Sequence, residues 1–240
     1  MAFSASTNFT YTRDQVIKAA LRKCRAYDAD VDTPEAYQTR DAAEALNLIH
    51  KSLQLQGTLL WVVKDQEINL SKGKRVYTIG PSGDTNTDRP LRISDPRWRD
   101  ISDNTDIPVT LVGRQDYNGL TNKFAAGRPT WVCYDRKIVL GEISVWPVPE
   151  DSKGKLFVTA DIPLQDFDAS GDDAHMPSYA YAYFVWALAA DLASEYGIPL
   201  QESMVWEQKA AGLKDDLIDF EEEESGFQLI PDYSYSGGFN

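Results

Sequence analysis

The sequence predicts an α+β fold: a discontinuous four-helix body with an inserted antiparallel β-sandwich or barrel-like domain and a flexible C-terminal tail. Apolar residues recur with helical period near both ends of the chain, whereas short β-branched and aromatic runs fill the middle. The chain has 240 residues, of which 42% are hydrophobic, so it can bury a sizeable core. We expect a helical domain from residues 10–57 and 176–224, a β domain from 58–175, and a tail from 225–240.

The charge balance disfavours several kinds of partner. The chain carries 24 basic and 37 acidic residues, a net charge of −13, which argues against gripping nucleic acid phosphates or an anionic membrane. No uncharged apolar run reaches the roughly 20 residues of a membrane-spanning helix, so we expect no membrane insertion. Residues 1–12 lack the basic cluster and apolar stretch of a secretory signal. Two cysteines make no disulfide framework, and we expect a soluble protein that folds inside the cell.

Two long helices are predicted before residue 58. Thr12 and Gln15 have the spacing of a capping box, and residues 12–26 then carry apolar side chains on one stripe. Thr33 and Pro34 fit the N-cap and first position of a second helix over residues 35–56, with Gly57 as its stop. Both helices have a continuous apolar face, so we expect them to form a helical hairpin.

Short apolar runs separated by turn residues predict strands in the middle of the chain. This spacing is typical of an antiparallel sandwich or a small barrel. Residues 80–108 form a long polar segment, interrupted only at 91–93, and are predicted to be a loop that either makes interactions or is partly disordered. The predicted strands are residues 59–63, 67–70, 75–79, 109–112, 130–134, 138–140, 143–146 and 156–160.

Two further helices are predicted near the C-terminus. Residues 178–190 contain no charged side chain, so the third helix, over 178–197, should be central and buried on most faces. A fourth helix is expected from residues 199–202 to about 224. Its inward-facing residues are predicted to be Met204, Val205, Ala211, Leu213, Leu217 and Phe220.

The sequence contains no recognisable catalytic motif: it has no Gly-rich phosphate loop, no nucleophile elbow and no Cys-x-x-Cys pair. His50 is predicted to be an ordinary helix residue, and Cys24 and Cys133 to be small buried apolar residues. Residues 168–173 alternate oxygen ligands as a calcium loop does, but they lack the closing glutamate, so an acidic linker is the favoured interpretation. We expect no enzymatic activity, no metal and no cofactor.

The first and last helices carry opposite charge. Residues 12–26 hold five basic side chains against one acid, whereas residues 214–224 hold seven acids and one lysine. Such faces can pack within one subunit or meet between subunits, where complementary charge sets the orientation, and both interpretations stay open. The residues predicted to make contacts between subunits are Arg13, Lys18, Arg22, Lys23, Asp215, Asp216, Asp219, Glu221 and Glu222.

Four segments follow one another in a recognisable order. The first is the opening Thr-Arg-Asp-Gln-Val-Ile-Lys at 12–18, which precedes a second helix. In the second, a Leu-Val-Gly-Arg run at 111–114 leads to Gly-Arg-Pro-Thr-Trp at 127–131. The third is Trp-Pro-Val-Pro at 146–149, which ends a strand, and the fourth is an alanine-rich helix that ends in Tyr-Gly-Ile-Pro at 196–199. This order resembles the head-to-tail adaptor family of short-tailed bacteriophages, also called tail accessory factors, packaged-DNA stabilisation proteins or tail tubular protein A. The long segment 80–108 departs from that pattern.

The resemblance implies a structural virion protein at the head–tail interface, assembled in the host cytoplasm. Twelve copies would form a ring under the portal protein, extend the DNA channel, retain the packaged genome and hold tail nozzle or fibre proteins. DNA would pass through without sequence-specific binding, because carboxylates lining the channel repel phosphate. The tail, residues 225–240, would contact the portal through Phe227, Tyr233, Tyr235 and Phe239.

Two other functions remain as alternatives. A virion-associated enzyme that degrades the host envelope, or a receptor-binding protein, would place a carbohydrate cleft and a pair of carboxylates in the β domain. A head-completion connector of a long-tailed phage would use similar helices without so large an insertion.

Overall fold

The structure is a computed structural model that describes residues 9–27, 33–55, 62–169, 171 and 176–221. Helices lie at both ends of this part of the chain and strands lie between them, which confirms the predicted mixed α and β class. The helices are α1 (Arg13–Lys23), α2 (Ala36–Leu53), α3 (Arg114–Asn118), α4 (Tyr181–Leu192) and α5 (Leu200–Glu221), and one 3-10 turn (Ser178–Ala180) precedes α4. The strands are β1 (Val63–Asn69), β2 (Val76–Gly80), β3 (Thr85–Asn86), β4 (Arg92–Asp100), β5 (Asp106–Pro108), β6 (Thr110–Leu111), β7 (Trp131–Arg136), β8 (Gly141–Trp146) and β9 (Gly154–Asp161).

Side-chain caps set the starts of the first two helices. The Thr12 amide donates to Gln15 Oε1 at 2.9 Å, and the Gln15 amide donates to Thr12 Oγ1 at 3.4 Å, which confirms the predicted capping box of α1. Helix α2 begins at Ala36 with Glu35 as its N-cap, so the predicted N-cap at Thr33 was wrong by two residues. The reason is local, because Gln38 accepts the Glu35 amide at 3.0 Å and satisfies a donor that Thr33 would have left open.

The strands form two open sheets that share one hydrophobic core. One sheet has the order β1-β9-β4-β5 and is antiparallel, and the other has the order β3-β2-β8-β7-β6, with short parallel pairs at both edges. Neither described sheet closes on itself, so a barrel is not seen. Strand β8 buries every second residue, as a strand that covers a core with one face must. The buried residues of both sheets include Ile68, Ile93, Leu156, Val158, Tyr77, Ile79, Val132, Ile143 and Val145.

The predicted interaction loop over residues 80–108 is wrong. This segment contains β3, β4 and β5, and β4 lies inside the first sheet between β9 and β5. A β-bulge between Ser94 and Arg97 shifts the register on β9, and it breaks the alternation of apolar and polar residues that sequence reading depends on. Beyond the bulge, Arg99 lies 4.2 Å from the Phe157 ring and pairs with Asp106 at 2.5 Å, so charged residues cover the outer face of the strand.

Three smaller expectations about the β region also need correction. Residues 138–140 were predicted to be a strand, but they form the turn between β7 and β8, where Ile138 is 95% exposed. Only Thr110–Leu111 of the predicted strand 109–112 is a strand, and the short helix α3 was not predicted. Most of the predicted strand 59–63 lies outside the described residues; the structure begins strand β1 at Val63.

Helix α4 is the centre of the helical core, as its charge-free sequence predicts. It contacts α1, α2 and α5, and Phe184, Leu188 and Ala189 are fully buried. Gly197, at a φ of +68°, closes the turn after α4, because it lets the Ile198 amide donate to the Ala193 carbonyl at 3.0 Å. The predicted domain boundaries stay predictions.

The buried face of α5 differs from the predicted one. Met204, Val205 and Phe220 are 49%, 61% and 70% exposed, so the prediction that they face inward was wrong, and Ala211 is exposed as well. Leu217 is buried as predicted and Leu213 is half-buried. The face that packs on α4 alternates three and four residues apart, and it comprises Ser203, Trp206, Ala210, Leu213 and Leu217.

Side chains of α2 hold the segment that leaves the β sheets. Asn47 donates to the Phe167 carbonyl at 3.3 Å and accepts the Phe167 amide at 3.0 Å, and the Lys51 ammonium donates to the Leu164 carbonyl. Leu164 and Phe167 are buried in the same hydrophobic cluster as α2 and α4. The exit from β9 is therefore part of the helical core rather than a free linker.

Candidate assembly interface

The helical core places the C-terminal end of the basic segment away from the acidic end of α5. Tyr11 stacks near Tyr181, with ring centroids 5.4 Å apart, and Cys24 Sγ donates to the Ala189 carbonyl at 3.4 Å, so α1 runs parallel to α4. Tyr179 instead meets Glu221 at 2.5 Å, so α5 runs antiparallel to α4. The basic C-terminal end of α1 thus lies beside the start of α5, far from the acidic end of α5.

Two lysines share one indole at the basic end. Lys23 Nζ of α1 lies 3.8 Å from the Trp186 ring centroid and Lys209 Nζ of α5 lies 4.1 Å from it. Burial, and secondarily the charge of Lys209, lowers the pKa of Lys23. Within the described part of the chain, neither ammonium has a carboxylate within 4.0 Å. We call these three side chains the cation cluster.

An ion pair between α1 and α5 involves Arg25, two residues after Lys23 of the cation cluster. Arg25 Nη2 lies 3.0 Å from Glu202 Oε1, which ties the end of α1 to the start of α5. This pair is partly exposed, so its own contribution to stability is small, about 0–1 kcal/mol. Because Glu202 is engaged with Arg25, it does not pair with Lys23 or Lys209.

Arg13 and Arg22, two other predicted basic residues, have partners within the same chain. Arg13 pairs with Asp14 at 2.9 Å and donates to the Asp168 carbonyl at 3.3 Å. Arg22 Nε donates to the Tyr27 hydroxyl at 3.0 Å, and that hydroxyl donates to the Lys18 carbonyl at 3.4 Å. These contacts fold residues after α1 back along the helix.

The acidic end of α5 presents three exposed carboxylates. Asp215, Asp216 and Asp219 are exposed, and in the described ranges none of them forms an ion pair. Glu221 is buried, 4% exposed, and accepts the Tyr179 hydroxyl hydrogen bond. Glu222 and the four aromatic tail residues lie outside the described residues.

Apolar side chains on the outer faces of α2 and α5 border a groove. The groove has a volume of about 400 Å³ and lies over Ala187 and Ala190 of α4, between α2 and α5. Ile49 of α2 and Ala211 of α5 line it. Outside the groove lining, Leu48 of α2 is 73% exposed and Leu200 of α5 is 74% exposed. The helical part therefore shows apolar as well as charged surface.

The histidine and cysteine side chains serve packing. His50 is buried in α2 with its ring centroid 4.9 Å from Phe167 and 5.5 Å from Phe184. Cys24 and Cys133 are buried, as predicted, and burial raises the pKa of the Cys24 thiol to about 11. Over the described ranges, no three His, Cys, Asp or Glu side chains come together as a metal site, and no helix is long and apolar enough to cross a membrane. His175 and half of the acidic loop 168–173 lie outside those ranges.

The cation cluster was not predicted as a unit. Sequence reading singled out Lys23 but not Trp186 or Lys209, because the three residues come from three different helices. The one available signal was a tryptophan within the charge-free helix. What the described surface offers is charge and apolar area for contacts with other chains, which is characteristic of structural assembly proteins.

Comparison of the sequence with known protein families agrees with an assignment to structural assembly proteins. The sequence matches the family model described as SU10 adaptor protein over residues 11–228. Because the match covers most of the chain, the protein belongs to this family of bacteriophage head-to-tail adaptors, and its role is that of a structural component of the virion. No curated protein matches the sequence.

A pH-dependent contact holds the end of α5. Burial, and then the hydrogen bond to Glu221, raises the pKa of Tyr179 well above its usual value. The folded protein keeps this phenol neutral, so the contact is complete below about pH 10, the ordinary pKa of tyrosine, and is lost as the pH rises above it. We expect helical far-UV circular dichroism to fall reversibly above that pH, and to fall less in Tyr179→Phe. An identical alkaline profile for both proteins would contradict this.

Proposed function

We propose that the chain assembles as a ring of twelve copies beneath the portal protein of a short-tailed phage. The ring extends the DNA channel, retains the packaged genome and provides a platform for tail nozzle or fibre proteins. The observation that carries this proposal is membership of the adaptor family across residues 11–228. The open surface charge and apolar area of the helical part support a role in assembly.

Contacts between copies use the charged ends of the helices. Arg13, Lys18, Arg22 and Lys23 of one copy face Asp215, Asp216, Asp219 and Glu222 of the next, whereas Glu221 keeps its contact with Tyr179 inside the copy. Support comes from Lys23, which lies at the end of α1 that Arg25 and Glu202 tie to the start of α5, away from Asp215, Asp216 and Asp219. Surfaces at opposite ends of a molecule favour head-to-tail contacts, and these close into a ring when the rotation per copy divides a full turn.

The tail and the acidic surplus complete the proposal. Residues 225–240 bind the portal through Phe227, Tyr233, Tyr235 and Phe239, since aromatic residues contribute much contact area when a segment orders on a partner. Part of the net charge of −13 lines the channel, so DNA phosphates are repelled and DNA passes without sequence-specific binding.

The test is to mix the purified chain with the portal protein of the same virion. Native mass spectrometry should give about twelve copies per portal ring, and electron microscopy should show a central hole that continues the portal channel. A chain truncated after Glu224 is the matched control, because it keeps every described residue but lacks the tail. We expect it to remain unbound. Absence of any ring on the portal would contradict the proposed function, and normal binding of the truncated chain would contradict the role of the tail.

A further inference from the structure

We propose that the cation cluster, Lys23, Trp186 and Lys209, is the acceptor site for the acidic end of α5 of a second copy, with Asp215, Asp216 and Asp219 as the donor. This rests on the proposed function in taking the neighbouring copy as the occupant. It adds a specific pairing to the contacts proposed above, because Trp186 and Lys209 are not among the basic residues of α1 that the sequence predicts to contact another copy.

The acceptor is an unusual concentration of positive charge. Two ammonium groups lie 3.8 and 4.1 Å from the same ring centroid, so each is held near the other as well as near the indole face. An aromatic ring attracts a cation, but it does not cancel the repulsion between two of them. The lowered pKa of Lys23 reflects this repulsion together with burial. A carboxylate arriving from outside would relieve it.

The chain does not supply that carboxylate from its own described part. Glu202 at the start of α5 already pairs with Arg25 at 3.0 Å, and in the described ranges Glu207 forms no ion pair with Lys23 or Lys209. Lys209 and the three aspartates belong to the same helix, but six to ten residues separate them, which is roughly 9–15 Å along a helix rising 1.5 Å per residue. That separation exceeds the reach of an ion pair within α5, so Lys209 and these aspartates are available to pair between copies.

The proposed donor, the three aspartates of α5, also carries like charges that repel one another. Asp215 and Asp219 are four residues apart on an exposed face of α5, and like charges at that spacing repel each other. Asp216 widens the same negative face. Lys209 lies in the middle of α5 and the donor aspartates lie near its C-terminal end, so each copy presents both an acceptor and a donor to its neighbours.

A DNA phosphate is the other anion that such a cluster could attract. The net charge of −13 opposes the approach of DNA to the chain as a whole. Carboxylates of a neighbouring copy arrive at high effective concentration once a ring begins to form. The observations therefore favour a second copy as the occupant.

Paired charge reversals test the proposal in the full-length chain. Lys209→Glu and Asp216→Lys each place like charges in contact, and each should raise the concentration at which rings form on the portal by at least about tenfold. The double variant restores opposite signs and should return that concentration to within about threefold of the original. Lys72→Glu is the matched control, because Lys72 is exposed in the turn after β1 and has no ion pair in the described structure. It should assemble normally.

The outcomes separate this inference from the proposed function. Rings that form normally with Lys209→Glu, or a folded double variant that fails to recover, would overturn the pairing while leaving the ring intact. If the unaltered chain forms no ring on the portal, the proposed function itself fails. If the unaltered chain binds a short DNA duplex and Lys209→Glu abolishes that binding without changing assembly, the cluster is a phosphate site and the inference is overturned.

Discussion

Replacing Phe184 with alanine should lower the free energy of unfolding by about 3–5 kcal/mol, the usual cost of removing a fully buried phenylalanine. Phe184 is 0% exposed in the central helix α4, and its ring contacts His50 of α2 and Tyr183. Its loss removes contact area at the junction of α2 and α4, and the surrounding helices cannot collapse fully into the space. Urea unfolding followed by far-UV circular dichroism measures the change.

Phe124→Ala is the control for that measurement. The same atoms are removed, but Phe124 is 77% exposed in the loop before β7 and lies 5.3 Å from the Arg75 guanidinium. We expect its effect to stay below about 1 kcal/mol. Equal losses for the two variants would contradict the central position of α4.

A second large effect is expected at Gly154, the first residue of β9. A Cβ added there would lie 2.0 Å from Trp98 Nε1 and 2.4 Å from Trp98 Cε2. The indole is rigid, so Gly154→Ala must displace β4 or β9, which pair at this point through Asp100 and Gly154. Overpacking of this kind costs about 1–3 kcal/mol or more. We expect a lower urea midpoint in tryptophan fluorescence, with the change concentrated in the β region.

The control for that variant is Gly127→Ala in the same part of the molecule. A Cβ at Gly127 would first meet Pro147 Cβ at 3.5 Å, an ordinary contact. Its urea midpoint should stay close to that of the unaltered protein. If Gly154→Ala is as stable as Gly127→Ala, then β4 and β9 do not pack as closely as the structure shows.

The variants that test stability and the variants that test assembly act on different properties of the protein. Phe184 and Gly154 act on folding, whereas Lys209 and Asp216 lie on the surface and change little inside one copy. A chain that folds normally yet fails to form rings is therefore informative about the interface. Far-UV circular dichroism of each variant before mixing with the portal separates the two cases.

Some of the candidate site was readable from sequence and some was not. The opposite charges of the first and last helices were evident, since charge along a helix is a local property of the sequence. That Lys23 and Lys209 meet on Trp186 was not, because three separated helices must first pack together. The tail residues assigned to the portal lie outside the described part and stay predictions.

The β region shows why non-local pairing limited the prediction. Strand β4 escaped notice because its bulge at Ser94 and Arg97 breaks the two-residue period. The turn at residues 138–140 was taken for a strand because its apolar side chains resemble one, although Ile138 and Val139 point to solvent. Apolar composition does not distinguish a buried strand from an exposed turn.

The sequence by itself determined where the first helix begins, which helix is central and how charge is distributed. These properties depend on side chains within a few residues of one another, such as Thr12 with Gln15, or on the charge-free run before Ala190. Only the tertiary structure decided which face of α5 is buried, where β4 is inserted and which cations share an indole. The physical reason is that each of these depends on neighbours distant in the chain, whose approach is set by packing of the whole core.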